Sequence, residues 1–161
     1  MKKYKQLKKN PAALIAFLLL LTSGFLFPLF GTDFFGESFT NKNSVVVNLI
    51  RETFTSQISL NSSFGVFQVL LVLSFIIVTL LYLLNGFGLI YNRYSRYASF
   101  LTILYFILGL LTYNSLNEKY ATSLFGLQIS SITMGAGIYF VPFIGILYFF
   151  FARSINKGIK I

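Results

Sequence analysis

From Phe64 to Tyr91 the chain runs for 28 residues without an Asp, Glu, Lys, Arg or His. About 20 apolar residues at 1.5 Å rise cross the hydrocarbon core of a bilayer, so a run of this length is a membrane-spanning helix candidate. A helix of a water-soluble protein would carry a polar stripe on the face turned to solvent. Here Gln68, Ser74 and Thr79 are scattered among branched and aromatic side chains instead. The stretch therefore places the chain in a bilayer.

Three more uncharged runs flank it: 11–31, 97–116 and 132–152. The expected fold is an all-α integral membrane protein, a four-transmembrane-helix bundle, with a structured outer loop between spans 1 and 2. The single membrane domain divides into a cytoplasmic start (1–10), span 1 (11–31), outer loop 1 (32–63) and span 2 (64–91). A cytoplasmic turn (92–96), span 3 (97–116), outer loop 2 (117–131), span 4 (132–152) and a cytoplasmic tail (153–161) complete it. Pro11 suits a first helical turn, where its missing N–H is no loss, and Pro28 bends or ends span 1. The first run is longer than the apolar region of a signal peptide and lacks an A-x-A-like exit, so it reads as a retained span. Pro142, inside span 4, is expected to kink it.

Orientation follows from the basic residues. Ten of the 13 lysines and arginines fall on one side of this four-span scheme: Lys2, Lys3, Lys5, Lys8, Lys9, Arg93, Arg96, Arg153, Lys157 and Lys160. Lys42, Arg51 and Lys119 fall on the other, with all four acids: Asp33, Glu37, Glu52 and Glu118. An excess of Lys and Arg marks the cytoplasmic side, so both termini are expected inside. The expected location is a plasma membrane, and the abundance of Phe, Ile, Asn, Lys and Tyr points to an AT-rich bacterial genome.

Only 11% of the residues are charged, against about 25% in an ordinary soluble domain. The net charge of +9 does not imply nucleic acid, because the basic residues border apolar runs. The tyrosines at 91, 94 and 97 that interleave with Arg93 and Arg96 fit a membrane interface better than a base-stacking platform. Cysteine and histidine are absent, which removes thiolate and imidazole chemistry and thiol-based metal sites. No catalytic, metal or cofactor constellation stands out. Asp33 and Glu37 are paired acids beside span 1, but they read as solvated interfacial groups. The spans carry no ionisable group except tyrosine phenols, which argues against proton pumping or voltage sensing.

The outer loop supports one more element. A helical template fits Ser44 to Ser59, with Val47, Ile50, Phe54 and Ile58 on one face and Ser44 as N-cap. A strand template fits Phe54 to Asn61. A short helix over Ser44 to Ser59, lying near the membrane surface, is the favoured reading. Its apolar face is a candidate contact for the span ends or a partner. Gly137 and Gly145 lie on a small-residue face of span 4, suited to close helix approach within the bundle or to another subunit. Lys2, Lys3 and Lys5 are candidate contacts for anionic lipid. Gln68 and Pro142 are the candidate polar interior.

The layout of inside termini, a long first outer loop and a short second one resembles that of claudin-like and other tetraspan proteins. The resemblance covers topology alone. The chain has no Trp and no Cys, so no signature residues carry over. The expected function is a non-catalytic accessory or interaction subunit of a membrane complex, with a membrane-protein partner or further copies of itself. The alternative is a small channel or carrier for a neutral or lipid-like solute.

Overall fold

The computed structural model describes residues 9–34, 37–40, 45–55, 63–120, 122–124 and 127–158. It is dominated by helices: α1 (Pro11–Leu26), α2 (Val46–Thr55), α3 (Ser63–Gly86), α4 (Asn92–Tyr120) and α5 (Ala136–Gly158). Four strands join them: β1 (Phe30–Phe34), β2 (Glu37–Thr40), β3 (Thr122–Leu124) and β4 (Leu127–Met134).

Local chemistry sets the helix ends. Asn10 caps α1, its side-chain oxygen accepting from the Ala13 N–H at 3.2 Å, with Pro11 in the first turn. Phe27 turns extended at φ −100°, ψ 121°, as the residue before a proline must to avoid the ring. α3 ends in a paired-carbonyl cap. The Gly88 N–H bonds to Asn85 O at 2.9 Å and the Leu89 N–H to Leu84 O at 2.8 Å, around Gly88 at φ 71°. That left-handed position favours glycine. The α3–α4 connection is therefore 87–91, whereas 92–96, expected as the turn, already forms the start of α4.

The all-α expectation missed the sheet. Its order is β2-β1-β4-β3, antiparallel throughout. β1 and β4, about a hundred residues apart, form the central pair, with Phe30 opposite Met134 and Phe34 opposite Ser130. Strands that would each be marginal alone become stable when the two loops supply one four-stranded sheet. The ends expected for spans 1 and 4 are corrected accordingly: Phe30 and Gly31 belong to β1, and Ile132 to Met134 belong to β4. The sheet is fastened to the helices by Gly135 N–H to Leu29 O (2.7 Å), Gly137 N–H to Pro28 O (2.9 Å) and Ile132 N–H to the Asn117 side chain (3.3 Å).

α2 is a helix, as its 3.6-residue period implies, but its phase is shifted. Val46 and Leu49 are buried, while Val47 and Ile50, expected as its inner face, are half-buried. The side chain of Phe54, and Ser44 and Ile58 altogether, lie outside the described residues. Val46 approaches Gly24 of α1, where Phe75 of α3 also closes in. α2 thus covers the ends of α1 and α3 next to the sheet.

The helices bury a core that includes Leu20, Val72, Phe75, Val78, Ile138, Val141 and Ile144. Among the described residues, the buried set also includes Ser23, Gln68, Ser74, Asn85, Ser95, Ser99, Thr102 and Thr112. The outside, by contrast, is apolar on all four long helices: Leu26 of α1 is 70% exposed, Leu80 of α3 48%, Phe100 of α4 56% and Phe150 of α5 70%. Two helical stretches, Gly65–Gly86 and Asn92–Glu118, are long and apolar enough to cross a membrane. Pro11–Leu26 and Ala136–Ala152 are apolar but shorter.

Candidate functional site: a polar junction where four helices meet

Chain direction brings the start of α1, the end of α3, the start of α4 and the second half of α5 to the end of the bundle opposite the sheet. Asn10 stands at the meeting point. Its backbone N–H bonds to Gly86 O at 3.2 Å. Its side-chain amide donates to Asn85 Oδ1 at 2.5 Å, to the Tyr148 hydroxyl at 2.8 Å and to Asn92 Oδ1 at 3.4 Å. Asn85 Nδ2 donates in turn to Asn92 Oδ1 at 3.1 Å and to Ile90 O at 3.3 Å. Asn10 and Asn85 are both buried. Buried carboxamides need every partner they can reach, because an unpaired polar group in an apolar interior costs roughly 1–3 kcal/mol.

The network continues along α4. Ser95 shares a 2.6 Å hydroxyl contact with Tyr148, and Ser99 a 3.0 Å contact with Tyr82 of α3. The Tyr82 and Tyr148 rings meet edge to face with centroids 4.8 Å apart, a favoured aromatic geometry. Ser95, Ser99 and Thr102 recur at spacings of four and three residues, so they share the inner face of α4. Further along, Thr102 bonds to Ser99 O and Thr112 to Leu108 O, at 2.6 and 2.7 Å. Ser74 on α3 likewise closes on Leu71 O at 2.7 Å. These hydroxyls are satisfied by their own helices.

Beside the junction lies an open cleft of about 370 Å³, lined by Asn10, Asn92, Arg96, Tyr148, Phe149 and Phe150, with Ala152 at its edge. Arg96 is exposed there. Nearby, the Arg93 guanidinium lies over Tyr91 and Tyr94, at 5.6 and 5.2 Å from the ring centres. Among the described residues the site offers amide and hydroxyl donors with the Arg96 guanidinium, and none of them sets a nucleophile beside a base.

The residues singled out from the sequence fall elsewhere. A Cβ on Gly145 would strike Thr102 of α4, and one on Gly137 would meet Phe27 O at 2.8 Å and Leu29 Cδ2 at 2.9 Å. Both glycines are therefore occupied by packing inside the chain. Gln68 is buried on α3, and α5 continues as a helix through half-buried Pro142. Asp33 and Glu37 sit on the paired strands β1 and β2, opposite Ser38 and Phe34 respectively. Lys2, Lys3 and Lys5 lie outside the described residues. The junction itself was not anticipated. Two signals point to it: Asn85 inside a long uncharged run, and the Ser-Ser-Thr spacing that begins α4.

Comparison with protein-family models, curated proteins and solved structures finds no match.

Proposed function

We propose that the chain is a non-catalytic membrane protein that spans the bilayer four times and serves as an interaction subunit. The observation that carries the reading is the reversal of polarity. Carboxamides and hydroxyls are inside, and Leu, Ile and Phe cover the outer faces of α1, α3, α4 and α5. Lipid is the solvent that such a surface matches, and polar residues in membranes turn toward the bundle interior. The Lys and Arg asymmetry then puts the Asn10 end in the cytoplasm and the sheet outside. A bacterial plasma membrane is the location that fits. At 29 residues α4 is about 44 Å long, more than the roughly 30 Å of hydrocarbon. Its last turns thus reach the sheet beyond the bilayer.

Both outer loops feed one head of four strands and a helix, and this head is the part we assign to partner recognition. A solute path is less well supported, because the hydroxyls of Ser74, Thr79, Thr102 and Thr112 close on carbonyls of their own helices and large side chains fill the space between helices. The test is affinity purification of the full chain in mild detergent, with Leu49→Asp as comparison. Leu49 docks α2, so the variant should still insert but should lose a stoichiometric partner, or self-association, that the parent retains. A parent that purifies as a lone monomer and passes small neutral solutes through liposomes would defeat the proposal.

A further inference from the structure

The cytoplasmic cleft is not isolated. Phe149 and Phe150, which form its wall, also wall a groove of about 180 Å³ between α4 and α5. The exposed lining of that groove is apolar: Phe100, Ile103, Gly145 and Ile146 form it together with these two rings, and Ser99, whose hydroxyl is bonded to Tyr82, completes it. Gly145 matters because it lets α5 approach α4 at Thr102 while leaving a furrow on the outside. A charged, donor-rich cleft thus shares two aromatic walls with an apolar groove along the helix pair.

The charge in the cleft is not matched from within the described residues. Asp33, Glu37 and Glu52 belong to β1, β2 and α2, at the far end of the bundle. Glu118 is on α4 itself but 22 residues beyond Arg96 (118 − 96), about 33 Å along the helix. Asn92 directs its Oδ1 inward to Asn85 and Asn10, which leaves its Nδ2 donors for the cleft. Arg96 supplies a guanidinium with the fork geometry that suits phosphate.

We propose that this combined cleft and groove binds one anionic glycerophospholipid of the cytoplasmic leaflet. Its phosphate sits at Arg96 and Asn92, and one acyl chain lies in the α4–α5 groove against Ile103 and Ile146. The inference rests on the membrane reading above and goes beyond it.

The experiment uses the full chain in nanodiscs made of equal parts phosphatidylglycerol and phosphatidylcholine. Native mass spectrometry after release reads which lipid is retained. The parent should retain phosphatidylglycerol selectively. Arg96→Gln should lower that selectivity about 5-fold, the equivalent of about 1 kcal/mol for one interfacial cation, and Arg96→Lys should keep most of it. Ile146→Trp, on an exposed site in the groove, should reduce retention of both lipids at that position. Arg93→Gln removes the same charge from a side chain stacked on Tyr91 and Tyr94 and should change little. Equal effects at Arg93 and Arg96, or no effect of Ile146→Trp, would overturn the site. So would displacement by millimolar glycerol phosphate as effective as by the lipid, which would mark a soluble-phosphate site, or retention of a second copy of the chain in place of lipid. Co-elution with the nanodisc is scored separately. A chain that inserts without lipid preference refutes only this inference, and one that fails to insert refutes the membrane reading.

Discussion

Replacing Asn10 by alanine removes the most connected side chain of the junction. The variant loses the amide bonds to Asn85 and Tyr148 and the cap on Ala13. Side-chain hydrogen bonds between membrane helices average about 0.6 kcal/mol and reach about 1.7. An N-cap is worth about 1 kcal/mol. Two interhelical bonds and one cap therefore predict a loss of about 2 kcal/mol, with the Coulombically weaker 3.4 Å contact to Asn92 ignored. Asn85→Ala should be of similar size, since it strips partners from Asn10 and Asn92. The double variant should be less damaging than the sum, because the two residues share a bond. Reversible unfolding in mixed detergent micelles, or steric trapping in bicelles, measures all three. A loss below about 0.5 kcal/mol for Asn10→Ala, or strict additivity with Asn85→Ala, would show that the network does not bind the helices together.

Gly145→Ala should destabilise by about 1–3 kcal/mol, since its Cβ would enter Thr102, whose Cβ and Cγ2 would lie at 2.9 Å. Thr102→Ala in the same chain should recover part of that loss, and a neutral Gly145→Ala would contradict the α4–α5 packing. The Tyr105 hydroxyl is fully buried with no hydrogen-bond partner among the described residues, so Tyr105→Phe should leave stability unchanged or raise it by about 1 kcal/mol. A clear loss, read in the same unfolding assay, would reveal a partner for that hydroxyl.

The apolar runs are legible as helices because length and the absence of charge mark them without any periodicity. The α2 helix is legible from its 3.6-residue pattern, although Val46 and Leu49 rather than Val47 and Ile50 are its most buried residues. The sheet is not legible, for a physical reason. Phe30 and Met134 are partners across a hundred residues, and no local pattern carries that pairing. Phe30, Gly31 and Ile132 to Met134 look like span because they continue uncharged runs, and Thr32 to Phe34 look like loop because Asp33 ends the run. The junction is hidden differently. Asn10 sits at the end of a lysine-rich segment and reads as part of a solvated tail. Only the meeting of four chain segments turns it into a buried hub. Gly145 and Gly137 were legible as close-approach positions, and the structure supplies what approaches them.

The central claim is a four-span bundle with the sheet outside. The chain has no cysteine, so single cysteines can be placed at Lys42, Arg93, Lys119 and Lys157 and treated with a membrane-impermeant thiol reagent on intact cells. The account predicts labelling at Lys42 and Lys119 only, with Arg93 and Lys157 reacting after permeabilisation. Labelling at Lys157 together with Lys42 and Lys119 would mean that α3 and α4 alone cross the membrane, and the four-span account would be wrong.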